Sequence, residues 1–157
     1  MNSMIHIDEL NRKIIGSLQN NARQTNRELA ISCGVAPSTS LERLRSLERK
    51  GVVNGYHASI NLQAIDRGTQ ALVAIKIKPP SRKTYDAFRA WLIDQPQVTG
   101  VFVVSGASDI LAQVAVRDTD ALYSFVIDGL TQRPEVSDIQ TSIIYEHYKK
   151  HTIMPLE

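Results

Sequence analysis

The chain has 157 residues, 43% hydrophobic and 22% charged, with a net charge of +2, which excludes a disordered chain and leaves room for one domain or two small ones. No run approaches the ~18 consecutive apolar residues of a membrane span, and the opening MNSMIHIDELNRKI lacks an apolar stretch of secretory length, so a cytoplasmic protein is expected. Cys33 is the single cysteine; it excludes an internal disulfide and reads as a buried structural thiol.

Asp8 is placed to N-cap a first helix whose apolar face is Leu10, Ile14, Ile15 and Leu18. The polar run QNNARQTN ends it. Thr25 or Asn26 caps a second helix, with Glu28 three residues after Thr25 as a capping box requires. Leu29, Ala30 and Cys33 form its apolar side, and Gly34 stops it. Pro37 suits the first turn of a third helix, with Ala36 at the cap, running to about Lys50 and ending at Gly51. Three short helices, the last two joined by a tight glycine turn, predict a helix-turn-helix. In VVNGYHASI the Asn54-Gly55 turn signal predicts a small wing or a linker strand.

From about residue 70 the hydrophobic period changes to two. Ala71, Val73, Ile75 and Ile77 predict a half-buried strand, ended by Pro79-Pro80. Tyr85, Phe88, Trp91 and Leu92 stand at helical spacing, closed by Pro96. VTGVFVVSG and DILAQVAV predict an antiparallel hairpin around Gly106. Asp118 caps a helix from Thr119 to Leu130, and alternation from Ile139 to Tyr145 gives a last strand. The order β-α-β-β-α-β is the split βαβ of a ferredoxin-like fold. The expected class is therefore α+β: a winged helix-turn-helix over residues 1–54, a linker and wing over 55–69, and a βαββαβ domain over 70–157. Both helices of the second part cover one sheet face. The other face is still apolar, so a second copy of the chain is the expected cover.

Charge is uneven. Residues 1–60 hold eight Lys/Arg against five Asp/Glu, and residues 61–157 hold ten against eleven. Four of the eight cations lie within 43–50, a local excess that suits a phosphate backbone. On the third helix Leu41, Leu44 and Leu47 fall within a ~120° arc, with Thr39, Glu42 and Ser46 opposite, Ser38 and Arg49 nearby, and Arg43 and Arg45 flanking. A solvated helix face is the plain alternative. The second position of a helix-turn-helix, the small hydroxyl residues at the helix start and the flanking arginines favour DNA recognition instead. Ser38, Thr39 and Ser40 are then expected on phosphates or base edges, and Glu42 on a cytosine amino group. Arg43 and Arg45 are expected on a guanine edge or phosphate, Arg49 on the backbone, and Arg27 on a phosphate where the second helix crosses it. With Pro37 at the helix start, these make up the expected DNA-contacting set. A dimer would present two such helices to a pseudo-palindromic duplex.

Catalysis has little support. No Gly-rich phosphate loop appears, and no nucleophile stands beside a histidine in a familiar spacing. His147 and His151 have the i, i+4 spacing of a helical metal site but follow a strand pattern and flank Lys149-Lys150, so no metal, catalytic residue or cofactor is expected. The competing class is a small-molecule-binding assembly protein with weak DNA affinity.

The stretches IDELNRKIIGSLQNNAR, GVAPSTSLERLRSLERKGVVNGY and VSGASDILAQV make the chain, from Ile7 to Met154, resemble the Lrp/AsnC (feast/famine) family of transcription regulators. The third stretch matches the family's glycine-x-x-aspartate turn, here Gly106 and Asp109. The resemblance implies a C-terminal effector-binding (RAM) domain, dimers joined through their sheets, and assembly into tetramers, octamers or larger. It implies a small effector, usually an amino acid, at a contact between dimers. By position the effector turn is Gly106, Ala107, Ser108 and Asp109, with Thr141 and Ser142 on the last strand as further candidates. Read from the residues alone, Gly106 can turn backbone N–H groups toward a carboxylate and Asp109 can meet an amino group. An ordinary hairpin whose aspartate bonds its own loop is the favoured reading of these residues without the resemblance.

Overall fold

The computed structural model describes residues 6–156 and divides the chain into two units. One contains the residues up to Ser59 together with those from Tyr148 on; the other runs from Ile60 to His147. The sequence assigned everything from residue 70 to one domain. In the structure the residues from Tyr148 on group instead with the first unit, where Thr152, Ile153 and Pro155 are hydrogen-bonded to the first helix.

The first unit holds α1 (Glu9–Asn20), α2 (Asn26–Cys33) and α3 (Pro37–Arg49). The caps are the ones the residues call for. Asp8 accepts from the Asn11 N–H at 2.8 Å. Thr25 and Glu28 form the reciprocal box, the Thr25 N–H donating to Glu28 Oε2 at 2.7 Å and the Glu28 N–H to Thr25 Oγ1 at 3.2 Å. Gly34 closes α2 at φ 71°, in the left-handed region where a Cβ would be strained. Ile14, Leu18, Leu29, Cys33 and Leu47 form the core. Residues 52–61 join no sheet. The expected wing is an open run here, since one strand has nothing to pair with and even a two-stranded hairpin is marginal alone.

The second unit holds β1 (Thr69–Ile77), α4 (Arg82–Ile93), β2 (Val98–Val103), β3 (Ile110–Val116), α5 (Thr119–Ser124) and β4 (Val136–Ile143). The four strands form one antiparallel sheet in the order β2-β3-β1-β4. Beyond Ser124, α5 widens into a π-helical turn over Phe125–Leu130. β4 starts before the predicted Ile139 and stops short of Tyr145. One sheet face is covered by the helices: Ala71, Val73, Ile75 and Ile77 pack with Ile110, Ala112 and Val114 against Phe88, Leu92, Leu122, Phe125 and Leu130. On the other face Phe102 lies across from Leu111, which lies across from Ala74. Phe102 is 53% and Leu72 38% exposed there.

Candidate nucleic-acid interface and effector turn

The approach of α2 to α3 is fixed by Asn26, whose Nδ2 donates to Pro37 O at 2.7 Å. Helix α3 then shows a different phase from the predicted one. Ser40 and Leu47 are buried and Leu44, half buried, packs against the same core, while Leu41, also half buried, does not join it. Ser38, Glu42, Arg45 and Arg49 recur on the opposite side at ~100° per residue, and all four are exposed. Pro37 and, on α2, Arg27 are exposed as well; Thr39 is half buried.

Two expected DNA contacts are placed elsewhere. Ser40 is 0% exposed and its Oγ has no hydrogen-bond partner, so it has no surface to offer a duplex. It is a core position occupied by a hydroxyl, and its expected role is withdrawn. Arg43 turns toward α1, where its Nη1 donates to Asp8 Oδ2 at 2.5 Å. The Asn11 N–H first, and the Arg43 guanidinium after it, hold the Asp8 carboxyl below its usual range. Arg43 in this arrangement ties two helices together.

At the β2–β3 turn, Gly106 has φ 126° and nothing within 4 Å of where a Cβ would stand, so the space above it is open. Gly106 and Ala107 are exposed, Ser108 and Asp109 half buried. The turn is pinned from below by the end of β1. The Asp109 N–H donates to Ile75 O at 3.0 Å, and Asp109 Oδ2 accepts the Ile77 N–H at 2.8 Å. Burial first, and the nearby Asp109 carboxylate after it, raise the Tyr85 pKa. Lys76 Nζ donates to Ala107 O at 3.1 Å, setting a cation beside the turn.

Thr141 and Ser142 do not join that turn within one chain. They lie on β4, at the sheet edge away from the β2–β3 turn. They also face opposite ways: Thr141 pairs with Val73 on the helix-covered face, Ser142 with Leu72 on the open one. Alternation along a strand could have separated these two neighbours beforehand. Lys76 and Tyr85 were missed for a different reason: only the β1–β3 register and the placement of α4 bring them to the turn. Among the described residues no group of three or more His, Cys, Asp or Glu is placed to hold a metal, and no helix is long and apolar enough to cross a membrane.

Comparison with known proteins matches residues 7–54 to the winged helix-turn-helix DNA-binding model and residues 70–154 to the Lrp/AsnC ligand binding domain. The HTH-type transcriptional regulator AldR of Mycolicibacterium smegmatis is 35% identical over 91% of this chain and 84% of its own. A Neisseria meningitidis transcriptional regulator solved as an L-Met complex superposes with a TM-score of 0.88 at 32% identity, covering 96% of this chain and 97% of that one. Escherichia coli AsnC superposes with a TM-score of 0.85 at 28% identity, covering 96% of this chain and all of that one.

Proposed function

Because the chain belongs to the Lrp/AsnC family of transcriptional regulators, with a helix-turn-helix for DNA and a ligand-binding domain, we propose that it reads a short pseudo-palindromic operator and responds to an amino acid. The observation that carries the DNA reading is the exposed stripe Ser38, Glu42, Arg45 and Arg49 on the second helix of the helix-turn-helix. Arg45 and Glu42 are the base-reading candidates; Arg49, Arg27, Thr39 and the α3 start at Pro37 meet the phosphate backbone. Two chains joined through the open sheet face, with Leu72 and Phe102 covered, present two α3 helices to major grooves ~34 Å apart. Such dimers assemble further, into tetramers to octamers or larger, in the cytoplasm.

The effector site we propose is the turn Gly106, Ala107, Ser108 and Asp109. Lys76 supplies a cation for a carboxylate, and the open space over Gly106 admits the ligand. Asp109 already accepts the Ile77 N–H, so its part is to shape the turn. Thr141 and Ser142 can contribute only from another copy, which is consistent with a site at a contact between dimers. Selection of bound sequences from a random duplex pool, with and without a mixture of the twenty amino acids, tests both parts. An enriched inverted repeat whose occupancy changes with the mixture is the expected result. Enrichment without response removes the amino-acid effector, and no enrichment at low salt removes operator reading.

A further inference from the structure

Helix α1 is packed on two sides. Ile14 and Leu18 face the helical core. Arg12, Gly16, Gln19 and Asn20 form a second stripe, roughly opposite at ~100° per residue. By composition that stripe is ordinary solvated surface, yet residues 152–155 run along it. The Thr152 hydroxyl donates to Asn20 Oδ1 at 3.1 Å. Gln19 clamps Ile153 from both sides, Oε1 accepting its N–H at 2.8 Å and Nε2 donating to its carbonyl at 2.9 Å. Arg12 Nη1 donates to Pro155 O at 3.1 Å. Between them Met154 lies over Gly16, where a Cβ would stand 3.6 Å from the Met154 sulfur.

The partners descend from Asn20 to Arg12 as the tail ascends from Thr152 to Pro155, so the two segments are antiparallel. Their lengths agree: Asn20 back to Arg12 is ~12 Å of helix, and three steps of extended chain span ~10 Å. Three of the four hydrogen bonds go to main chain. Ile153 is 67% and Leu156 95% exposed, so apart from Met154 over Gly16 side-chain burial adds little to what holds the tail. We propose that this stripe of α1 is a docking surface for an extended peptide main chain, that the chain's own residues 152–155 are its occupant, and that their docking stabilises the DNA-binding unit.

The protein carries a reporter in each unit. Cys33 lies in the core of the first and Trp91 packs against the core of the second. In the full chain, Gln19→Ala and Gly16→Leu are expected to speed Cys33 labelling by an aromatic disulfide roughly fivefold or more, as loss of the two clamp hydrogen bonds implies. The Trp91 fluorescence transition should stay in place. Leucine improves the helix itself, so faster labelling in Gly16→Leu reports displacement of Met154 and not a weaker helix. Gly16→Ala, which adds only an ordinary contact, should not speed labelling. Unchanged labelling in both Gln19→Ala and Gly16→Leu overturns the proposal. In a Cys33→Ala background, Gly16→Cys with Met154→Cys should oxidise to a crosslink within one chain; a crosslinked dimer overturns the assignment to the chain's own tail. Neither readout uses DNA or effector, so both stand apart from the functional reading above.

Discussion

Arg43 and Asp8, 35 positions apart, meet at 2.5 Å and join the middle of α3 to the N-cap of α1. The same carboxylate that satisfies the Asn11 N–H through one oxygen holds the guanidinium through the other. Arg43→Ala should therefore lower the stability of the DNA-binding unit by about 1 kcal/mol, the pair being partly exposed. It should weaken duplex binding less than Arg45→Ala does. Urea unfolding followed by Cys33 labelling, beside a duplex titration, separates the two effects.

Asp8 also sets an acid limb. Its folded pKa lies below the ordinary 3.8, so folding favours the ionised form. The associated stability is complete above the unfolded value and is lost as pH falls through the lower, folded one. Asp8→Asn keeps a capping oxygen but removes the titration. Its stability should be lower than the parent's at neutral pH and fall less steeply below pH ~4, as thermal melts across that range would reveal.

The new phase of α3 makes a paired prediction. Arg45→Ala should cost ~1–3 kcal/mol of binding; loss of preference at one base position would mark base reading, and a uniform loss over all sequences a phosphate contact. Ser40→Ala should leave binding unchanged and raise stability by about 1 kcal/mol, since it removes a buried hydroxyl without a partner from a helix interior. A Ser40→Ala protein that loses affinity would restore Ser40 to the interface.

At the effector turn, Asp109→Ala leaves the Ile77 N–H without its acceptor and should cost ~1–3 kcal/mol, read by the Trp91 transition. Asp109→Asn retains an acceptor and should cost less. Lys76→Gln should disturb that transition little yet blunt the thermal shift produced by an amino acid.

Phe102→Asp and Leu72→Glu place charge on the open sheet face. Each removes ~1.5–3 kcal/mol of apolar burial per chain from any dimer that covers the face. Sedimentation velocity should show smaller species for both, with the fold retained by circular dichroism.

What could be read in advance was local. Asp8, the Thr25–Glu28 box, Gly34 and Pro37 each act within a few residues, and each helix end falls where those residues put it. The period-2 run Ala71–Ile77 likewise gave its strand, because side-chain alternation needs no knowledge of the partner. The phase of α3 was not legible. Ser40 and Leu41 are adjacent, and hydrophobicity favours the leucine; only the packed position of α1 and α2 decides that the serine goes inward. Arg43 looked like a free cation because its partner lies on another helix. The polar stripe of α1 was hidden for the same reason at greater range, its occupant standing 143 positions beyond Arg12.

That range bears on synthesis. The ribosome delivers the helix-turn-helix about a hundred residues before the segment that lies along its outer stripe. Translation at ~5–20 residues per second leaves roughly 5–20 s between the two events. During that interval the nascent helices hold Gln19 and Arg12 open to water, and the DNA-binding unit is completed only after the sheet unit that it flanks.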